Sequence, residues 1–383
     1  VSSDRLSTNV KTSNLATDLS DKVGQSKNLI INGAMAVAQR ATTSTSSGIY
    51  TVDRFSVKYS GTNEAPTQAQ VALTSSDTGP WAKGFRYALQ ITNGDQTGGA
   101  GAADYIYSEH RIEAQNMAQS GWEYTSASSY VTLSFWVKAS VAQNYYGYLR
   151  TSDGTGQIYT FETGSLTADT WTKITKTIPG HANLQFDNNS EQGFKLFLVP
   201  FWGTDGTGST SLNTWGAYGS GATRVPDMTS TWYTTNDSTF SFTGVQLEVG
   251  DTATEFEHRS YADELLRCQR YFFNIKGDDN DSAGILGYAL STDEIRVKID
   301  FPVPMRIMPN YTGNAKDAKF KADNTSSNMH WTNLSMINPG TTLNPSSSMM
   351  KYDKGSSFSV TAGQCGDLEF HEDGGELQFS AEL

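Results

Sequence analysis

Hydrophobic and polar positions alternate over short runs along most of this chain. Residues 130–138 (YVTLSFWVK) put Val131, Leu133, Phe135 and Val137 on one side of an extended backbone. Thr132, Ser134, Trp136 and Lys138 fall on the other. Further strand-like runs occupy 145–150, 170–178, 194–201 and 240–249. In the last, Phe240 and Phe242 share one parity while Val245, Leu247 and Val249 share the other. Gly244 stands at the switch, which predicts a β-bulge or bend there. Gly/Ser/Thr loops separate the runs, the longest at 204–239. Strands without helical patterns between them predict a sandwich and not βαβ units.

Three other stretches differ. Residues 1–27 are polar, with Leu6, Val10, Leu15, Leu19 and Val23 as the sizeable apolar positions. Their spacing approximates one helical stripe, which reads either as a connector wound in an oligomer, a short trimeric coil, or as a flexible arm. Residues 261–273 begin with a helix-like stretch (YADELLRCQRYF, 261–272). Leu265, Leu266, Cys268 and Phe272 can share a face, with acids early and Arg267 and Arg270 late, as the helix dipole favours. From 274 to 383 alternation resumes through Ile295, Val297, Ile299, Phe301 and Val303, until Pro302, Pro304 and Pro309 break the ladder. Leu368 and Phe370, then Asp373-Gly374-Gly375, then Leu377 and Phe379 predict a β-hairpin. The expected fold is therefore all-β: a jelly-roll-type sandwich over 28–260, a linking helix over 261–273 and a smaller C-terminal sandwich over 274–383.

Composition narrows the partners. The 383 residues carry 28 Lys+Arg against 40 Asp+Glu, a net charge of −12, yet only 18% are charged. A net-negative chain without a Lys/Arg cluster argues against nucleic acid. No apolar run reaches the ~20 residues of a membrane helix, so no membrane insertion is expected. With 37% hydrophobic and 11% aromatic residues, the chain can bury cores. Cys268 and Cys365 are too few for a disulfide framework and read as isolated thiols. The start at Val1, without Met or a signal peptide, suggests a fragment or processed product with a segment upstream.

Catalytic motifs are wanting. The histidines at 110, 181, 258, 330 and 371 make neither a His-x-x-x-His pair nor a Cys/His cluster, and no Gly-x-Ser-x-Gly elbow occurs. Residues 98–104 (GGAGAAD) have the wrong glycine spacing for a dinucleotide loop and read as a flexible loop. Paired carboxylates of a glycosidase cannot be picked from 40 acids by sequence. Asp153-Gly154-Thr155-Gly156 and Asp205-Gly206-Thr207-Gly208 repeat four letters, and Asp278, Asp279, Asn280 and Asp281 form a third oxygen-rich loop. Calcium would suit such oxygens, but none has the EF-hand series and Asp-Gly is ordinary turn chemistry, so turns are the reading. No metal or cofactor is expected.

Aromatic residues in and beside the long loop are the candidate ligand-binding group: Trp202, Trp215, Tyr218, Trp232 and Tyr233. Tyr145, Tyr146 and Tyr148 crowd one predicted strand. Such rings either plug the ends of a sandwich or offer stacking faces to a hydroxyl-rich ligand, for which a neutral glycan is suited.

Residues 28–57 read NLIINGAMAVAQRATTS and then YTVDRFSV. Asn28, Leu29, Asn32, Gly33, Gln39, Arg40, Asp53, Arg54 and Phe55 match an Asn-Leu-x-x-Asn-Gly…Gln-Arg-Gly…Asp-Arg-Trp/Phe pattern, with Ala41 where Gly is common. SFWVKAS (134–140), the segment around Trp171, GVQLEVGDTATEFEHRSYADELLRCQRYF (244–272), FPVPMRIMP (301–309) and the terminal SAEL (380–383) follow in order. In this the chain resembles tailed-phage virion proteins, especially those of marine and cyanobacterial phages. The resemblance implies a tail fibre or similar virion appendage, usually homotrimeric, whose jelly-roll heads are similar to carbohydrate-binding modules. It carries over no glycan-contacting residue, and its matched segments look like framework. The expected function is a non-enzymatic fibre head in the virion that binds a host surface receptor, a saccharide, beside other tail or capsid proteins. A structural decoration protein without host contact and a polysaccharide depolymerase are the alternatives.

Overall fold

The computed structural model describes residues 27–277 except 220 and 222. Beyond these it describes 282–292, 294–311, 318–322, 329–330, 334–336, 345–353, 361–370 and 375–383. The connector at 1–26, the Asp278–Asp281 loop, His371 and the 373–374 turn lie outside the described residues.

The first part is a sandwich of twelve strands: β1 (Thr43–Ser44), β2 (Phe55–Ser60), β3 (Thr67–Ala72), β4 (Tyr87–Thr92), β5 (Tyr105–Glu113) and β6 (Tyr130–Ala139), then β7 (Asn144–Thr151), β8 (Gln157–Ser165), β9 (Thr172–Pro179), β10 (Gln192–Trp202), β11 (Trp215–Ala217) and β12 (Thr239–Val249). They form two six-stranded sheets, β1-β3-β4-β12-β6-β9 and β11-β8-β7-β10-β5-β2, with antiparallel ladders throughout. Both inner faces are apolar by alternation, and Leu133, Phe135, Leu149, Leu196, Phe161 and Phe242 meet between them. The parity switch in β12 is a real bulge: its register on β6 shifts between Thr243 and Gln246. Gly244 there has φ 63°, and a Cβ would lie 2.6 Å from the Phe85 ring. Glycine thus lets Phe242 and Val245 both face the core; Val249, which shares the parity of Val245 and Leu247, is exposed at the strand end.

The linking helix is shorter than 261–273. It spans Tyr261–Gln269, with the Ser260 hydroxyl accepting from the Asp263 amide at 3.2 Å as N-cap. Glu264 and Cys268 are buried, whereas Leu266 is exposed. Phe272 belongs to the next strand, because its backbone pairs with Ser380.

The second part, also all-β, has β13 (Phe272–Gly277), β14 (Ser282–Ala289), β15 (Glu294–Asp300), β16 (Asn310–Tyr311), β17 (Ala318–Ala322), β18 (Met329–His330), β19 (Leu334–Met336), β20 (Ser347–Asp353), β21 (Cys365–Phe370) and β22 (Gly375–Ser380). These make a three-stranded sheet, β13-β22-β16, and a seven-stranded one, β18-β17-β21-β14-β15-β20-β19. Ile285, Val297, Phe320, Leu368, Phe370, Leu377 and Phe379 fill their core. The expected hairpin is corrected here: β21 and β22 belong to different sheets. The Phe370 ring sits where a Cβ on Gly277 or Gly375 would be, at 2.2 and 2.6 Å, so those glycines let the chain cross over it. Both cysteines are free thiols, Cys268 buried and Cys365 exposed.

The 28–57 segment is a frame joining both parts. Asn28 donates to the Val245 carbonyl at 3.1 Å and accepts from the Ile30 and Leu247 amides, both at 3.0 Å. Asn32 donates to the carbonyls of Val37 and Asp53 at 2.8 and 2.9 Å. A Cβ on Gly33 would lie 2.1 Å from the Val245 carbonyl oxygen. Asp53 accepts from the Gln39 amide at 3.1 Å and side chain at 2.5 Å; burial pushes its carboxyl up to about 6, against the pull of Arg40. The Arg40 and Arg54 guanidinium groups lie over the Phe272 and Tyr271 rings at 3.4 and 3.5 Å, and both pair with Glu382. Nearby, fully buried Glu113 accepts from Arg270 at 2.7 and 2.8 Å and from the Tyr271 hydroxyl at 2.5 Å. The motif residues therefore hold the fold, in agreement with their reading as framework.

Candidate functional site

The five aromatic candidates part company. Trp232 and Tyr233 are fully buried on a short helix, Thr231–Thr234. The Trp232 indole donates to the Thr239 carbonyl at 3.0 Å, and Tyr233 stacks on Phe201 at 4.2 Å while its hydroxyl donates to Asp104 at 3.0 Å. Trp215 is 9% exposed in the main core, donating to the Pro179 carbonyl at 2.7 Å. These three are plugs, not stacking faces: the long loop folds back and spends them on the core. Trp202 and Tyr218 do come together on the outer face of the β11-β8-β7-β10-β5-β2 sheet, where Trp202 is itself buried, 8% exposed, and Tyr218 is half-buried.

Strand alternation builds that face. On β5, Ile106, His110 and Ile112 are buried and Tyr105, Tyr107, Glu109 and Arg111 point out. On β7, Tyr145 and Leu149 point in and Tyr146, Tyr148 and Arg150 out; on β10, Lys195, Phe197 and Val199 point out. The ladders align these residues in rows. Glu109, Phe197 and Tyr148 are cross-strand partners in one; Arg111, Lys195 and Arg150 are partners in the next. Tyr107 stacks on Trp202 at 5.2 Å and on Tyr105 at 5.2 Å, and Tyr148 stacks on Phe197 at 4.2 Å. Arg150 lies over Tyr218 at 3.7 Å, and Arg224 over Trp202 at 4.8 Å. Tyr105, Tyr107, Tyr146, Tyr218, Arg111 and Arg150 are all half-buried, so rings and charges reach solvent together.

The face runs into a cavity of about 680 Å³ where it meets the second part of the chain. Lys58, Glu109 and Arg111 line one side, Arg40, Arg54 and Tyr50 another, and Gln378, Ser380 and Glu382 the third. Its two carboxylate side chains are both engaged, Glu109 by Arg111 at 2.6 Å and Glu382 by Arg40 and Arg54, and Arg111 also donates to the Leu383 carbonyl oxygen. Lys195, 6% exposed, has its ammonium depressed to about 8, first by burial and then by Arg111 and Arg150.

The remaining sequence candidates are structural. Asp153 accepts the Asp187 amide at 3.0 Å, and the Thr207 hydroxyl donates to Asp227 at 2.9 Å. A Cβ on Gly206 would lie 2.1 Å from the Trp202 indole nitrogen, so this turn makes room for that ring. Among the described residues no three His, Cys, Asp or Glu side chains converge as for a metal, and no helix is long and apolar enough to cross a membrane. In 98–104, Asp104 accepts the Gly101 amide at 2.6 Å, as a closed loop does.

No family model matches the chain. No curated protein matches it either. Among solved structures it is similar to the enzymatically active domain of bacteriophage CBA120 tailspike protein 4, at TM-score 0.30 and 9% identity, over 58% of this chain and 21% of that one. It is also similar to a putative sugar binding protein from Bacteroides thetaiotaomicron, at TM-score 0.28 and 12% identity, over 58% of this chain and 100% of that one. The N-terminal cellulose-binding domain of Cellulomonas fimi β-1,4-glucanase C overlaps at TM-score 0.27 and 8% identity, over 57% of this chain and 99% of that one.

Proposed function

We propose that this chain is a non-catalytic, saccharide-binding head of a tailed-phage fibre or similar virion appendage, working as a homotrimer beside other virion proteins. The observation that carries it is the outer face of β5, β10 and β7 with Trp202 and Tyr218. The half-buried rings of Tyr105, Tyr107, Tyr146 and Tyr218 stand there among hydrogen-bonding side chains, and the same face contributes Glu109 and Arg111 to the neighbouring cavity. Ring faces take up the apolar faces of sugars, and the polar rim takes up hydroxyls. Engagement of both cavity carboxylates by arginines leaves neither as a ready general acid, which favours binding over depolymerase chemistry.

Adsorption competition tests the reading. Purified protein is expected to block virion attachment to host cells, and Tyr107→Ala with Tyr218→Ala to weaken that block by tenfold or more. Light scattering is expected to return three times the chain mass; a monomer would remove the trimer. A purely structural role is favoured by one feature, the outward row Leu286, Tyr288 and Leu290, of which Leu286 is 78% exposed. Absence of competition at saturating protein would decide for that role.

A further inference from the structure

The Arg111–Lys195–Arg150 row asks for something that a neutral sugar does not supply. Lys195 sits directly opposite Arg111 on one side and Arg150 on the other, on strands about 4.7–5.5 Å apart. Like charges in such positions repel. Arg111 is engaged at both terminal nitrogens, by Glu109 and by the Leu383 carbonyl oxygen. Lys195, though more than nine-tenths buried, makes no hydrogen bond or ion pair among the described residues, and the nearby Glu109 carboxylate is paired with Arg111. Arg150 rests on the Tyr218 ring, has no carboxylate partner there, and leaves its buried Nε without an acceptor. Other buried cations of the sandwich and its junction are treated differently: Arg54 has Glu382, Arg259 has Glu264 and Glu257, and Arg306 has Glu191. In a chain of net charge −12, two adjacent unpaired cations beside a paired third are a local exception. Such a cluster is costly to the fold and is repaid when an anion supplies the missing acceptors.

We propose that this row is the subsite for an anionic substituent, a sulfate ester or a uronate carboxylate, on the bound saccharide. It deepens the saccharide reading and rests on it. The substituent's oxygens accept from Lys195 Nζ and the Arg150 guanidinium group, with Arg111 adding its charge beside them, while the sugar ring lies toward Tyr107 and Tyr218. The neutral glycan suggested by aromatic rings in uncharged loops is then the wrong class.

Binding of the full chain to dextran, dextran sulfate and alginate, in affinity gels and by biolayer interferometry at about 0.15 M salt, tests this. One or both anionic polymers are expected to bind and dextran not to. Lys195→Met and Arg150→Gln are each expected to weaken that binding about tenfold. Arg86→Gln, on the opposite sheet, is expected to leave it unchanged. Preference for dextran sulfate assigns a sulfate ester, and preference for alginate a carboxylate. Equal binding of dextran and dextran sulfate overturns the inference, as does anionic binding that both variants leave within twofold, or no binding to either anionic polymer. The adsorption competition is read separately. If wild type and both variants compete equally well, the anion subsite falls and the saccharide reading stands; if none competes while polymer binding follows the variants, the host-attachment reading falls and the subsite stands.

Discussion

On the outer face of the β6 sheet, Lys138 lies 3.0 Å from Asp77 and over the Trp171 ring, whose indole donates to the same carboxylate at 2.9 Å. On the outer face of the opposite sheet, Lys195 also lies among rings, but its cross-strand neighbours are arginines, and Glu109, the carboxylate that pulls on it, is paired with Arg111 instead. Both faces bring tryptophan, tyrosine or phenylalanine and basic residues to a half-buried surface. One closes its electrostatics within the chain; the other leaves them open. Satisfied polar groups beside rings make structure, whereas unsatisfied ones beside rings make a site.

The largest test of that distinction is to unpair a cation in the frame. Glu113→Ala leaves Arg270 and the Tyr271 hydroxyl facing a void, and removing one partner of a buried pair costs about 3–5 kcal/mol. Urea unfolding is expected to show that loss. A change under 1 kcal/mol would mean that pairing in this junction does little for the fold.

The frame's own exception is Asp53, held up at about 6 by burial with Arg40 Nη1 as far as 3.8 Å. A carboxyl raised above its ordinary value of about 4 binds more protons folded than unfolded. Stability is therefore expected to fall as pH rises from about 4 through 6, by on the order of 2 kcal/mol, and Asp53→Asn to flatten that limb. Thermal melts across pH 4–7 read it; an unchanged limb in the variant assigns the proton elsewhere.

Lys195 supplies the matching test on the open face. Its ammonium is depressed to about 8 from an ordinary value of about 10.4, so folding releases a proton between those values. Stability is expected to rise from pH 8 to 10 by on the order of 1–2 kcal/mol, and Lys195→Met, which keeps the stem and drops the charge, to abolish the rise. At pH 7 the variant is expected to melt no lower than wild type. A lower melt would mean that the charge is satisfied in the fold after all.

How much of this was legible beforehand follows from what alternation encodes. The inward parity of Val131, Leu133, Phe135 and Val137 and the bulge at Gly244 could be read because period two is local. The parity of Tyr146, Tyr148 and Arg150 carried the same kind of signal for the site. Rows such as Arg111–Lys195–Arg150 were hidden because their members lie far apart in sequence and meet only through ladder register. The long-loop tryptophans left two readings open, plug or stacking face, for a related reason. Trp215 and Trp232 stand in a Gly/Ser/Thr context that predicts exposure, yet each indole finds a backbone carbonyl that lets it enter the core. Phe370 and Phe379 alternate on either side of a turn signal, but their strands join different sheets, with the Phe370 ring packed against Gly277 and Gly375, where a hairpin was expected.

The smallest expected effect asks whether an open face can be made from the closed one. Asp77 is held down to about 2 by hydrogen bonds from Trp171, the Thr74 amide and Lys138, against the opposing effect of burial. Its contribution to stability is therefore present above about pH 4 and lost as pH falls toward 2. Asp77→Asn is expected to cost about 1 kcal/mol at pH 7 and to remove that acid limb, as thermal melts at pH 2–7 would report. The variant also frees Lys138 beside Trp171 and Trp136. It is not expected to gain affinity for dextran sulfate, because Lys138 faces Ser241 across the ladder where Lys195 faces two arginines. Binding gained on that face would mean that a single unpaired lysine beside rings is enough, and that the row on the other sheet owes nothing to its being a row.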